Sequence, residues 1–443
     1  GVRETVRLEG RARGAKPGVP WVLCADPPNL YDQYGSIHRT SPTPTPYSLH
    51  PYTLPHPPMH LLHLFHAGVH DRPGTALGLL RSWIDHSPQH GHDVVVVGPS
   101  ALIEMARSLH LPVSAALGAP HGRAEMAAAG IRRVIAQRPE ADAVVCWSPG
   151  TLQVTRLLAS KVPAVACLAH RPTPGEAKLL ARTIRRRRGA TVVVCFSPTV
   201  AQAAVDGGVR NEGLHLVHPG MDASWCWSSE RAGLRERWGV SDERAAVVAA
   251  LATPPLEADA ERAGLALSMA AEAMGNPGSL RESLRLVCHP LQVHRDRARR
   301  VFDRVEMPRL IAQDPDAAMP WRILPGCDLA VVFGPFGDRI ARGWAMAAGR
   351  PVVAAPRPGV DNGDIHPEQH GLVAKSHEPR DLAYCIKRLL EDRPFAAALG
   401  ERAAARAAQR FDPADMARRL DGIIHARLHS HTPGVPHRPH PVA

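Results

Sequence analysis

His170 closes the apolar run VPAVACLAH and is followed directly by Arg171. Open α/β sheets bind ligands at the carboxyl ends of their strands, so an imidazole and a guanidinium there can meet a polar or anionic substrate. A surface histidine ending a strand is the plainer alternative. Gly74 and Thr75 in GVHDRPGTA (68–76) open a helical pattern. Backbone N–H groups at such a start can face an anion; otherwise the segment is a turn with Thr75 as its cap. In FGPFGD, Gly334 and Gly337 flank Phe336. Glycines there let the backbone approach a ligand and open a helix, or simply make a tight strand-to-helix turn.

Other clusters read more blandly. Asp314-Pro-Asp316 has the D-x-D form of a metal motif, but its place after a short strand favours helix capping by Asp316. His60, His63, His66 and His70 resemble a metal cluster in composition only. On a strand of period two, His60 and His66 share a face that His63 opposes, and no structural zinc framework is present. Arg182 and the run from Arg185 to Arg188 complement a helix dipole. Contact with anionic lipid headgroups is the sharper reading. Nucleic acid is disfavoured, because no aromatic residues interleave the run and aromatics are 5% of the chain.

These residues need elements to hold them. Short apolar runs at 59–66, 93–98, 142–147, 163–169 and 191–196 alternate with helical stretches such as 75–88, 122–138 and 174–187. A second series runs over 246–252, 284–288, 309–312, 328–333, 351–355 and 371–374. Continuous apolar strands between helices predict parallel sheets covered on both faces. Two series predict two tandem doubly wound, Rossmann-like domains of α/β class. The break falls near 222–245. Residues 378–430 read as helical, with breaks at Pro394 and at Asp412-Pro413. Residues 1–58 include the Pro-, Ser-, Thr- and His-rich 41–58 and read as a flexible extension; 431–443 reads as a disordered tail.

Composition sets wider bounds. The chain has 443 residues, 44% of them hydrophobic and 21% charged, which excludes a wholly disordered protein. No run of about 18 apolar residues occurs, so no spanning helix is expected. The net charge is +11, but only five of the 53 cationic residues are Lys. That lopsided usage reflects base composition more than a functional surface. Eight cysteines include no C-x-x-C, so buried thiols in a reducing, cytoplasmic setting are expected. No leader-like apolar stretch stands near the first residue.

In order and spacing the pieces over about 59–430 resemble glycosyltransferase family 4, two-domain transferases of the GT-B fold. The carriers are HLFHAGVHDRPGTALGLL, then GHDVVVVG, then VVVCFSPTVAQ with Ser197, then LHLVHPGMD and LRERWGV. CDLAVVFGPFGD, WAMAAGRPVVAA and HGLVAKSHEPRDL follow in the second half. The resemblance implies a first domain over 59–222 and a second over 223–411 facing each other across a cleft, and a helix at 412–430 crossing back to the first. It also implies sugar transfer from a nucleotide-sugar donor to an acceptor (glycan, lipid or small molecule), retaining and without metal or other cofactor.

By the same resemblance His170 is the catalytic-site histidine, touching the donor sugar. Gly74, Thr75, Arg171, Ser197, Gly334, Phe336, Gly337 and Trp344 fall at donor-side positions. Phe336 and Trp344 stand where family members carry two glutamates eight residues apart, and neither side chain can accept a hydrogen bond from ribose hydroxyls. The segment LATPPLEADAER lacks the usual Arg and Lys diphosphate clamp before Arg262. A degenerate donor site is therefore expected. The alternatives are a non-catalytic relative that binds a ligand or partner, and another doubly wound protein for nucleotide or phospho-ligands. Trp344 is expected to face the cleft, where it would stack on a base or fill the space of the lost contacts.

Overall fold

The computed structural model of the chain describes residues 57–66, 73–119, 124–155, 162–187, 191–226, 230–240, 245–252, 257–274, 284–288, 311–333, 339–355 and 364–429. All fall in the second of two compact units, Pro55–Ala443. The extension expected over 1–58, apart from Pro57 and Pro58, and the tail expected over 431–443 lie outside the described residues.

Seven strands form the first sheet: β1 (His60–His66), β2 (Gly91–Gly98), β3 (Val113–Gly118), β4 (Ala143–Cys146), β5 (Ala164–Leu168), β6 (Thr191–Cys195) and β7 (Leu214–Leu216). Their order is β3-β2-β1-β4-β5-β6-β7, and every pair is parallel. Six strands form the second: β8 (Ala246–Ala252), β9 (Leu284–Cys288), β10 (Ile311–Gln313), β11 (Leu329–Phe333), β12 (Val352–Ala354) and β13 (Gly371–Val373). Their order, β10-β9-β8-β11-β12-β13, is again all parallel. In both sheets the winding turns back after the third strand and places the fourth beside the first, which is the doubly wound arrangement with a crevice between those two strands.

The runs form strands because they are buried on both faces. In β2, Val94 and Val96 enter one core while Val95 and Val97 enter another. The edge strands β3 and β7 escape a search for apolar runs. β3 reads VSAALG with alternate residues exposed, and β7 has three half-buried residues.

Between the strands lie helices α1 (Pro73–His86), α2 (Ser100–Ser108), α3 (Ala128–Ala136), α4 (Pro149–Thr155), α5 (Pro174–Arg186), α6 (Pro198–Asp206), α7 (Arg231–Arg237), α8 (Glu257–Ala273), α9 (Pro320–Ile323) and α10 (Arg339–Ala347). Three more, α11 (Pro379–Glu391), α12 (Arg393–Arg410) and α13 (Pro413–His429), end the described chain. Pro394 stands in the first turn of α12, where its missing N–H costs nothing. The break precedes it at Asp392, whose carboxylate caps Phe395 N at 2.9 Å.

One hydrophobic core runs unbroken from the first sheet to the second, joining Val94 and Val96 to Val247 and Ala249 through Trp83, Trp147, Trp321 and Trp344. The last helix, α13, packs on α1. There Asp421 accepts hydrogen bonds from Trp83 Nε1 (2.9 Å), Ser87 Oγ (3.0 Å) and Gln89 Nε2 (3.3 Å), and pairs with His90 Nε2 at 3.3 Å. Four donors around one carboxylate only 3% exposed tie α13 to the first half.

Candidate functional site

The reversal in the first sheet lies between β1 and β4, so the carboxyl ends of β1, β4, β5 and β6 mark the crevice. His66 ends β1, Ser148 follows β4, His170 follows β5 and Ser197 follows β6. Thr75, in the first turn of α1, reaches His170: its hydroxyl lies 3.3 Å from His170 Nε2. Thr75 is fully buried and His170 half-buried, so the contact fixes the imidazole while leaving part of it at the surface. Thr75 is within α1 rather than capping it, since the helix begins at Pro73.

Two of the hydroxyls at these strand ends also cap helices. Ser197 caps α6, its hydroxyl accepting from Val200 N at 3.2 Å. Ser148 caps α4 in the same way and bonds Thr151. A capping hydroxyl accepts through one lone pair and keeps its O–H for a further partner. Arg171 is exposed next to His170, and Gly74 is buried in the α1 turn. Gly334, Phe336, Gly337 and residues 253–256 of the expected clamp segment 251–262 lie outside the described residues.

Trp344 is placed differently from the expectation. It is fully buried, with its ring 5.5 Å from Trp225 at 19° and 4.7 Å from Trp321 at 46°. Its indole N–H finds no acceptor among the described residues. The reason is packing: three large rings from separate segments fill the joint between the halves, so the stacking expected of Trp344 goes to other tryptophans.

On the second half, Asp364 is buried against two arginines of α10. Arg339 grips it with Nε at 3.0 Å and Nη2 at 2.9 Å, and Arg342 Nη2 stands at 3.5 Å. Burial alone would raise the Asp364 carboxyl, but these guanidiniums hold it below the usual range. His218, just past β7, is pushed down to about 4 by burial and by Arg339 and Arg410. Sequence spacing carried no sign of this group, whose carboxylate lies 25 and 22 residues beyond the two arginines.

Other readings are corrected in detail. Asp314, not Asp316, is the cap: its carboxylate accepts from Asp316 N at 2.9 Å and from Trp238 Nε1 at 2.8 Å. Asp316 instead meets Arg322 at 3.3 Å. His63 is sealed in the core, 2.9 Å from His92. His60 is exposed at the strand start, and His70 lies outside the described residues. Among the described residues no three His, Cys, Asp or Glu side chains are grouped to hold a metal. Of the arginine run, Arg187 turns inward to the carbonyls of Thr155 (3.0 Å) and Val162 (2.7 Å) and so cannot face a lipid. The seven described cysteines are buried thiols; burial pushes Cys146 up to about 12.

The chain matches no protein-family model, and no curated protein matches it. Its architecture is nevertheless shared with solved structures. Anabaena HepE in complex with UDP and glucose is 20% identical, with a TM-score of 0.64 over 83% of this chain and 100% of that one. A glycosyltransferase from Rickettsia africae is 13% identical, with a TM-score of 0.61 over 84% and 99%. The S. aureus MnaA–UDP structure is 12% identical, with a TM-score of 0.55 over 84% and 97%. The fold is thus GT-B, two Rossmann-like halves with parallel sheets.

Proposed function

We propose that this chain is a glycosyltransferase of family 4 type, moving a sugar from a nucleotide-sugar donor to an acceptor, with retention and without a metal. The observation that carries the reading is His170 at a strand's carboxyl end, held by Thr75, in a fold whose solved examples include complexes with UDP and with glucose. In this reading His170 meets the donor sugar, and Thr75 orients the ring. Arg171, Ser197 and the turn at Gly74 lie on the donor side, as do Gly334, Phe336 and Gly337.

The donor site is degenerate in this reading. Two glutamate positions hold Phe336 and Trp344, and the diphosphate clamp is missing from 251–262. Losing two charge-assisted contacts, each about 1.5–3 kcal/mol, weakens binding by roughly two to four decades. The buried Trp344 also favours a second reading, a GT-B relative that binds a ligand or partner without turnover. Calorimetric titration with UDP-glucose and GDP-mannose, paired with donor hydrolysis assays, separates them. Weak binding with turnover lost in His170→Ala supports transfer. Weak binding without turnover of any donor supports the second reading, and micromolar binding would overturn the degenerate site.

Location and membrane contact are also proposals. Among the described residues no helix is long and apolar enough to cross a membrane. Lys178, Arg182, Arg185 and Arg186 are exposed along one face of α5, at spacings of four, seven and eight. Each contributes about 1 kcal/mol near an anionic bilayer, so this stripe supports peripheral contact from the cytoplasmic side. Sedimentation with phosphatidylserine vesicles but not with phosphatidylcholine vesicles is the expected result, and equal sedimentation would remove the claim.

A further inference from the structure

A pocket of about 460 Å³ opens between α1 and α2 of the first half and α7 and α9 of the second. Its size falls in the range of small-ligand sites, roughly 300–1,000 Å³. It is distinct from the strand-end crevice: Arg81 in its wall is six residues beyond Thr75 on α1, about 9 Å along the helix axis.

Three features describe its chemistry. First, the half-buried Trp225 lines it, its ring backed by Trp344 at 5.5 Å and braced edge-on by Trp321 at 5.5 Å. Such a ring is a rigid apolar platform.

Second, its guanidiniums are held in place. Arg237 Nη2 meets Asp314 at 2.8 Å. Arg322 bridges Asp316 (3.3 Å) and the Ser108 hydroxyl (3.1 Å), across the two halves. Arg81 bonds Asp85 at 2.7 Å and the carbonyls of Leu109 (3.1 Å) and His110 (2.8 Å). His110 takes a left-handed backbone, φ 53°, at that turn; this costs a β-carbon residue of order 1 kcal/mol.

Third, the charges nearly cancel. Arg81, Arg237 and Arg322 line the pocket with Asp316 and Glu230, a sum of +1, and Asp85 and Asp314 behind the lining pair with Arg81 and Arg237. With each guanidinium already paired to a carboxylate, a phosphate or other polyanion gains little from such a lining. Fixed donors and acceptors around an indole face instead match an uncharged polyhydroxyl ligand, which stacks its C–H face on the ring and shares hydroxyls with both charge types.

We propose that this pocket binds an uncharged oligosaccharide. Binding there does not require turnover at His170, so the site stands whether the chain transfers sugar or not.

The test is calorimetric titration of the full chain with maltopentaose, cellopentaose, chitopentaose and xylopentaose, with a heparin pentasaccharide as the charged comparison. At least one neutral pentasaccharide is expected to bind. Trp225→Ala should weaken it about tenfold or more, while Trp225→Tyr keeps most of the affinity. Glu230→Ala changes an exposed residue with little bearing on folding and should weaken binding by about threefold. Raising NaCl from about 50 to about 500 mM should leave affinity within about twofold. Failure of all four neutral ligands to bind overturns the proposal. So does binding unaltered in folded Trp225→Ala and Glu230→Ala, or a salt-sensitive preference for the heparin fragment. A parallel titration with UDP-glucose reports on the transfer site separately.

Discussion

The indole of Trp321, from the second half, occupies the space that a side chain at Gly78 of α1 would need. A β-carbon at Gly78 would sit 2.4 Å from Trp321 Cη2. A glycine inside a helix costs up to about 1 kcal/mol against alanine, and here it admits the ring that joins the two halves. Trp321 is held by Trp225 and Trp344 and has little room to yield. Gly78→Ala is therefore expected to destabilise by about 1–3 kcal/mol despite its better helix propensity. Urea unfolding checks this, and an unchanged or raised midpoint would mean that the ring can move.

Trp344→Glu, the change that restores a family-type glutamate, should unfold the protein rather than improve donor binding. It removes a buried indole, worth about 3–5 kcal/mol, and buries an unpaired carboxylate. Trp344→Phe should lose less. Circular dichroism melting of both variants decides the matter, and a well-folded Trp344→Glu with tighter UDP-glucose binding would contradict the packing described above.

Asp421→Ala leaves the buried donors of Trp83, Ser87 and His90 without their acceptor. A loss of about 3–5 kcal/mol is expected, with Asp421→Asn losing less because it keeps one acceptor. Hydrogen exchange should rise in α13 and α1 together. Exchange rising in α13 alone would argue against the coupling.

A proton-sensitive line runs through the first core. Trp147 Nε1–H donates to His63 Nδ1 (3.4 Å), so His63 Nε2–H donates to His92 Nδ1 (2.9 Å) and His92 Nε2–H to the Ser87 carbonyl (3.4 Å). Burial holds His63 well below its ordinary value, with His92 adding to the effect, and burial holds His92 at about 4. Between pH 6.5 and 4 the unfolded chain binds protons that the folded chain excludes, so stability falls as pH falls through that window and is fully present above it. In His92→Gln the slope of unfolding free energy against pH should shrink by up to about 1.4 kcal/mol per pH unit. An unchanged slope at pH 5 would show that His92 does not carry the effect.

If transfer occurs at His170, Thr75→Val should lower kcat about tenfold with little change in KM, since it removes only the contact that orients the ring. His170→Ala should cost about a hundredfold or more. Equal losses in both variants, or a loss confined to KM in Thr75→Val, would count against Thr75 as a positioning residue.

The residues of this chain determine its strands and their class by themselves. The runs VVVV (94–97) and LAVVF (329–333) are apolar at every position, which only a strand covered on both faces accommodates, and their alternation with helices implies parallel sheets. Caps such as Asp392 and first-turn prolines such as Pro394 act within four residues, so helix ends are legible too. Edge strands β3 and β7 are less so, because a half-covered strand needs no apolar run.

The joint between the halves is decided by tertiary structure alone. Trp225, Trp321 and Trp344 stand far apart in sequence and show no common period, yet they meet in one cluster. Asp421 finds Trp83 across 338 residues. Whether a tryptophan faces a ligand or another tryptophan depends on which surfaces the two sheets bring together, and local sequence carries no record of that distance.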